Sequence, residues 1–273
     1  MSLNSAIQHL KRDLKKSAPM PVVFIGHGTP MNAIKENAYT DSWMELGKNL
    51  PRPQAILVIS AHWMTSGSTL VDISSMPRTI HDFGSFPQKL FEQQYPAKGH
   101  PALAKKVAEL LSEIDAKTDD TWGLDHGAWT VLKFMYPVAN VPVFQLSIDL
   151  SQDLEWHLSI GKYISELREH GVLILGSGNV VHNLSQVRLD GEAHDWTLEF
   201  DNGFVSAIED RDTKKLTCIA PALLDIAHPT LDHYIPSIAV AGASTSKDEL
   251  HFITEGIDLG SISMRSFIFH QKG

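Results

Sequence analysis

Cysteine is almost absent: the 273 residues contain one, Cys218. A lone thiol excludes an internal disulfide framework and fits a reducing compartment, and Cys218 itself reads as a small buried hydrophobe. Any bound metal must therefore sit among nitrogen and oxygen donors. Long apolar runs are missing too. None approaches the ~18 residues of a membrane span, and the first twenty residues lack the continuous apolar core of a secretory signal. The expectation is a cytoplasmic protein without a membrane partner. Positive charge is short, with 23 Lys and Arg against 32 Asp and Glu and a net charge of -9. That balance argues against nucleic acid as a partner. The one basic cluster, Lys11 to Lys16, lies on Ser5 to Ser17, where Ile7, Leu10 and Leu14 recur at helical spacing, and reads as a solvated helix face. Internal repeats, low-complexity tracts and heptad seams are lacking, which excludes a solenoid and leaves a monomer as the expectation.

The chain does have an ample apolar fraction, 43 %, enough for a sizeable core. Short β-branched runs recur at Val22–Ile25, Ala55–Ile59, Thr69–Ile73, Val141–Ile148 and Val172–Leu175. Segments of helical period, such as Ala102–Ile114 and Leu154–Arg168, separate most of them. This alternation predicts an α/β fold: a single domain over 21–273 with a central mixed sheet flanked by helices, preceded by a helical extension over 1–20. Ser261–Phe269 alternates more and reads as an edge or antiparallel strand. The long aromatic and Gly-containing connections Pro77 to Pro96 and Asp119 to Gly127 are expected to roof a site.

Fourteen histidines stand against the single cysteine. A lone histidine is usually a satisfied polar residue, and His9, His100, His157, His170, His194, His251 and His270 have no matching partner in sequence. Three others end β-branched runs. His27 follows Phe24-Ile25-Gly26, His62 follows Val58-Ile59-Ser60-Ala61, and His182 follows Leu175-Gly176-Ser177-Gly178-Asn179-Val180-Val181. Ligands of open α/β sheets gather outside the carboxyl ends of the strands, so histidines placed there can converge on one metal ion. Either His228 or His233 in His228-Pro229-Thr230-Leu231-Asp232-His233 could close the shell. His126 opens a helix through Ala128–Leu132, a position suited to an acid/base or hydrogen-bonding residue. Rival chemistries lack their marks: Gly-x-Ser-x-Gly, Gly-x-Gly-x-x-Gly, a Walker sequence and His-Glu-x-x-His are all missing.

Five motifs, in order, resemble the DOPA 4,5-dioxygenase branch of the class III extradiol ring-cleavage dioxygenases, the LigB superfamily. They are Gly26-His27-Gly28-Thr29-Pro30-Met31, Ser60-Ala61-His62-Trp63, His81-Asp82-Phe83-Gly84-Ser85-Phe86-Pro87, Trp122-Gly123-Leu124-Asp125-His126-Gly127 and Gly178-Asn179-Val180-Val181-His182-Asn183-Leu184. The resemblance spans Pro21 to Ser263. It implies opening of a catechol ring such as that of L-DOPA by O2, a 4,5-cleavage to a semialdehyde. It places the metal on His27, His62 and His233, with His182 as a further ligand and acid/base. His126 becomes the second catalytic histidine, which orients substrate, while His228 and Asp125 lie behind the site. Trp63, Phe83, Phe86 and Trp129 are the expected pocket walls. The wider superfamily completes its metal face with Glu where this branch has histidine, which moves preference toward Zn(II). One divalent metal, Zn(II) or Fe(II), is expected, and Fe(II) for ring cleavage, because Zn(II) has no accessible redox step. A zinc-dependent hydrolase or lyase using Asp125 or Asp232 as base is the alternative, as is a non-enzymatic metal-binding protein of the same fold.

Overall fold

Four of the apolar runs lie side by side and parallel at the centre of the sheet. The structure, a computed structural model, describes residues 16–271. Its strands are β1 (Val22–Gly26), β2 (Ala55–Thr65), β3 (Leu70–Asp72), β4 (Lys117–Asp119), β5 (Val143–Asp149), β6 (Val172–Gly178), β7 (Asp248–Thr254), β8 (Ile257–Asp258), β9 (Ile262–Ser263) and β10 (Ser266–Gln271). Eight of them form one mixed sheet in the order β4-β3-β5-β2-β6-β1-β10-β7, and β8 pairs with β9. β5, β2, β6 and β1 run parallel, while β10 is antiparallel to both β1 and β7.

The central strands are buried on both faces, which is why they read as continuous apolar runs instead of alternating ones. Val22, Phe24, Leu57, Val172 and Ile174 face one core; Val23, Ile25, Ile56, Val58, Leu173 and Leu175 face the other. The helices are α1 (Ala38–Asn49), α2 (Gln88–Phe91), α3 (Pro101–Leu110), α4 (His126–Met135), α5 (Leu154–Ile164), α6 (Asp195–Glu209), α7 (Thr213–Thr217), α8 (Pro221–Ala227) and α9 (Ile235–Ala243). α3, α5, α6 and α9 cover the first core through Leu103, Val107, Leu158, Phe200 and Ile238. α1 and α4 cover the second through Trp43, Trp129 and Leu132. A flanked mixed sheet is the architecture expected from the alternation of runs.

Some expectations change in detail. Ser261–Phe269 is two strands, β9 and β10, interrupted at Met264 and Arg265. β10 is antiparallel but internal, and the edge is β7. Cys218 is exposed at the end of α7, not buried. The expected N-terminal helix over Ser5 to Ser17 lies outside the described residues apart from Lys16 and Ser17, which are not helical. From there the chain runs along the 3-10 turn Ser165–His170, with Ser17 N and Met20 N donating to the carbonyls of Glu169 and Arg168 at 2.8 and 2.9 Å. No described helix is long and apolar enough to cross a membrane.

Candidate metal centre

Three adjacent parallel strands, β1, β6 and β2, bring their carboxyl ends to one edge of the sheet. Gly26 pairs with Gly178, and Ser60 with Ser177. His27 follows β1, and its N–H donates to the Gly178 carbonyl at 3.0 Å. Gly28 has φ +62°, a left-handed conformation in which a side chain would also strike Met264 Sδ at 2.5 Å, so glycine is required there. His62 lies within β2, where the register against β5 jumps from Ile59↔Leu146 to Met64↔Ile148. Such a bulge re-aims side chains at a strand end. His233 closes the 3-10 turn Leu231–His233 ahead of α9, and its carbonyl accepts from Asn179 N at 3.0 Å. A Cβ on Gly178 would meet that carbonyl oxygen at 2.2 Å.

The ring nitrogens of His27, His62 and His233 lie within 4.8 Å of one another. His27 Nδ1 is 3.0 Å from Ser177 Oγ, and that hydroxyl donates to the Gly127 carbonyl at 2.6 Å. The hydroxyl proton being committed, His27 Nδ1 is the donor and Nε2 carries the lone pair. His233 Nδ1 donates to Asn179 Oδ1 at 3.1 Å, and Asn179 is oriented by its own amide donating to Ser263 O at 2.8 Å. Its Nε2 is likewise a free base. His27 Nε2 and His62 Nε2 are 3.1 Å apart. Two nitrogens held about 2.0–2.1 Å from one ion sit roughly 2.9–3.4 Å apart, so the separation fits a shared cation. Anchoring the distal ring nitrogen is how metal-ligating histidines are commonly oriented.

Burial keeps these rings neutral. It pushes His27 and His233 well below the ordinary imidazole value, helped by the neighbouring imidazoles. Burial, and then His126, lowers His62 to about 3 and His182 to about 4, although Asp82 partly opposes the shift at His62. Neutral rings offer lone pairs at pH 7 without first losing a proton.

Two more imidazoles flank the cluster. His126, the first residue of α4, donates its backbone N–H to Asp82 Oδ1 at 2.8 Å and its Nδ1–H to Asp82 Oδ2 at 2.9 Å. Its ring centroid is 3.9 Å from that of His62. Asp82 Oδ2 also lies 3.4 Å from His62 Nδ1. Burial pushes the Asp82 carboxyl upward, but the hydrogen bonds from His126 outweigh it and hold the group below the usual carboxylate range. His62, Asp82 and His126 form a second group of possible donors, yet Asp82 and His126 Nδ1 already satisfy one another. His182 stacks on His233 with ring centroids 3.5 Å apart and planes 3° from parallel. Among the described residues His182, expected as a further ligand, is in no group of convergent donors.

The remaining expected residues separate into walls and supports. Phe83 meets His126 edge-on at 5.6 Å and belongs to an aromatic wall with Phe86 and Trp129. Trp63 is 3 % exposed and stacks on Trp122 at 5.7 Å, so its ring partner is another scaffold indole and not a site histidine. Asp125 is fully buried, which raises its pKa. Its carboxylate caps α4 through Ala128 N at 3.1 Å and accepts from Ser60 Oγ at 2.6 Å and Gln145 Nε2 at 3.0 Å. His228 donates Nε2–H to the Val180 carbonyl at 2.7 Å and is lowered to about 3, chiefly by burial. Asp232 Oδ2 lies 3.7 Å from His233 Nε2, its pKa raised by burial. Asp82, which stands in one of the motifs quoted above, and Ser177, in the run that leads to His182, have no role assigned from sequence. Of the histidines set aside, His100 caps α3, and His157 donates to Asp149 O at 3.1 Å.

Residues 18–265 match the family described as the catalytic LigB subunit of aromatic ring-opening dioxygenase. The chain is 44 % identical over 272 residues to the 4,5-DOPA dioxygenase extradiol of Escherichia coli K12, covering 94 % of this chain and 97 % of that protein. It is 37 % identical to the proteins of the same name from Mirabilis jalapa and Beta vulgaris, covering 84 % and 90 % of this chain and 89 % and 95 % of theirs. A crystal structure of an uncharacterized Escherichia coli K12 protein superposes with a TM-score of 0.79 at 38 % identity, covering 92 % of this chain and 100 % of that one. With a match over nearly its whole described length and a histidine cluster able to bind a metal ion, the chain belongs to the LigB family of aromatic ring-opening dioxygenases and is an extradiol dioxygenase.

Proposed function

We propose that this enzyme opens the ring of a catechol of the L-DOPA type with O2, cleaving the 4,5 bond to give a semialdehyde, with Fe(II) held by His27, His62 and His233. The observation that carries the proposal is the convergence of these three neutral imidazoles, two of them anchored through Nδ1, beside two further histidines. Bound Fe(II) supplies the electron relay between a catechol and O2, which redox-inert Zn(II) cannot. The chain's own residues do the rest. His182 has ring nitrogens without a hydrogen-bond partner among the described residues and is neutral by burial, so it takes a proton from a catechol hydroxyl and returns one during ring opening. His126 is held by Asp82 with Nδ1 protonated, so Nε2 is its free base and accepts a proton or hydrogen bond from substrate. Phe83 and Phe86 keep water from the reacting ring.

The hydrolase alternative finds little support in Asp125, whose carboxylate is engaged by the scaffold, and rests on Asp232 alone. The test is O2 uptake and visible absorbance with L-DOPA and a small catechol panel, using metal-stripped protein reloaded with Fe(II) or Zn(II). Uptake and a yellow product with iron alone are expected. Silence with every diol would overturn the proposal. The same protein, expected to be a cytoplasmic monomer, takes catechol and O2 as its small-molecule partners on this reading.

A further inference from the structure

A second group of metal-binding side chains lies at the opposite end of β1 from His27. Glu249 and His251 on β7 and His270 on β10 bring their donor atoms within 4.8 Å of one another. The register explains why. His270 pairs directly with Glu249, and Ile268 with His251. Residues two apart on one strand share a face, so all three donors project from the same side of the ladder, with His251 diagonal to His270. The two imidazoles stack with centroids 4.9 Å apart and planes 21° from parallel. His270 Nδ1 is 3.0 Å from the Gln271 carbonyl oxygen. A carbonyl only accepts, so Nδ1 bears the proton and Nε2 the lone pair, the arrangement in which a backbone carbonyl orients a ligating imidazole. His251 is exposed and His270 half-buried, and both histidines line a groove of about 660 Å3 beside Leu46, Leu50 and Ile268.

We propose that Glu249, His251 and His270 form a second divalent-metal site, distinct from the His27–His62–His233 cluster. Two imidazole nitrogens and one carboxylate oxygen, with remaining positions left to water, suit a borderline cation such as Zn(II). A cation there ties the edge strand β7 to β10 across their ladder and so restrains an edge that carries only one neighbour. In sequence both histidines stand in polar contexts without a matching partner, and only the antiparallel register joins them.

Calorimetric titration of metal-stripped full chain with Zn(II) tests this. Two equivalents are expected for the native protein, one for the double variant His251→Ala/His270→Ala, and one for His62→Ala. Glu249→Gln is expected to weaken the second equivalent by roughly 10–100-fold. Zn(II) should also raise the melting temperature of His62→Ala, and fail to do so when His251 and His270 are replaced as well. A second equivalent that survives in His251→Ala/His270→Ala overturns the proposal, as does a His62→Ala protein, folded by circular dichroism, that binds no Zn(II). Neither result bears on ring cleavage, which the double variant is expected to retain in full.

Discussion

His27 Nε2 faces His62 Nε2 at 3.1 Å, while His27 Nδ1 is fixed from behind by Ser177 Oγ at 3.0 Å. A hydroxyl two residues before Asn179 thus decides which nitrogen of a ring on another strand bears a lone pair. Asn179 does the same for His233. Ser177→Ala removes the anchor without touching the proposed metal position. Metal affinity is expected to fall by about 10–100-fold, measured by competition with a chelator, with little change in fold.

Gly127 sits where α4 meets the site. A Cβ there would approach Ser60 Oγ at 2.7 Å, His62 Cδ2 at 2.9 Å and His27 Cε1 at 3.2 Å. These atoms belong to packed rings and a committed hydroxyl, so they have little room to give. Gly127→Ala is expected to cost about 1–3 kcal/mol of stability in urea denaturation and to weaken metal binding through displacement of both imidazoles.

Asp82 acts through His126. Its two oxygens take the backbone N–H and the ring Nδ1–H of that residue, fixing both ring position and tautomer. Asp82→Asn sets an amide donor against one of these N–H groups. The expected result is a fall in kcat of about 10²–10⁴-fold with bound metal unchanged, and partial rescue by Asp82→Glu. Loss of metal in step with activity would instead make Asp82 a support for His62, from which it stands 3.4 Å.

The strands that carry the site were legible because burial on both faces writes them as near-continuous apolar runs rich in β-branched residues. β7 was not, since Asp248–Thr254 is a half-exposed edge strand containing Glu249 and His251. β4, Lys117–Asp119, is short and polar. α1 contributes mainly Trp43 to the core and leaves much of its surface wet, so its apolar period is weak. The resemblance singles out His27, His62 and His233, whose donor nitrogens the fold brings together, but not the orientation of His182: stacking on His233 depends on how a loop after β6 meets a turn before α9. Trp63 adjoins His62 in sequence, yet it stacks on Trp122. Successive side chains on a strand point to opposite faces, so adjacency to His62 does not by itself bring Trp63 to the site.

Acid should destabilise the protein through its buried neutral histidines, including two outside the metal cluster. Burial lowers His157 to about 4 and His228 to about 3. Unfolded, each returns to about 6.5. Between the folded and unfolded values the unfolded chain binds more protons, so stability is complete above about 6.5 and declines as pH falls toward 4 for His157 and toward 3 for His228. The slope is about 1.4 kcal/mol per pH unit for each residue. Urea midpoints between pH 7 and pH 4.5 should fall less steeply in His157→Gln than in the native protein.

The most direct test of the ligand assignment is the iron content of His27→Ala, His62→Ala, His233→Ala, His126→Ala and His182→Ala proteins after loading with Fe(II), read beside O2 uptake with L-DOPA. The first three are expected to lose both iron and uptake, and the last two to keep iron while uptake falls by about 10²–10⁴-fold. Iron lost from His182→Ala as fully as from His62→Ala, or normal uptake by His182→Ala, would contradict the account.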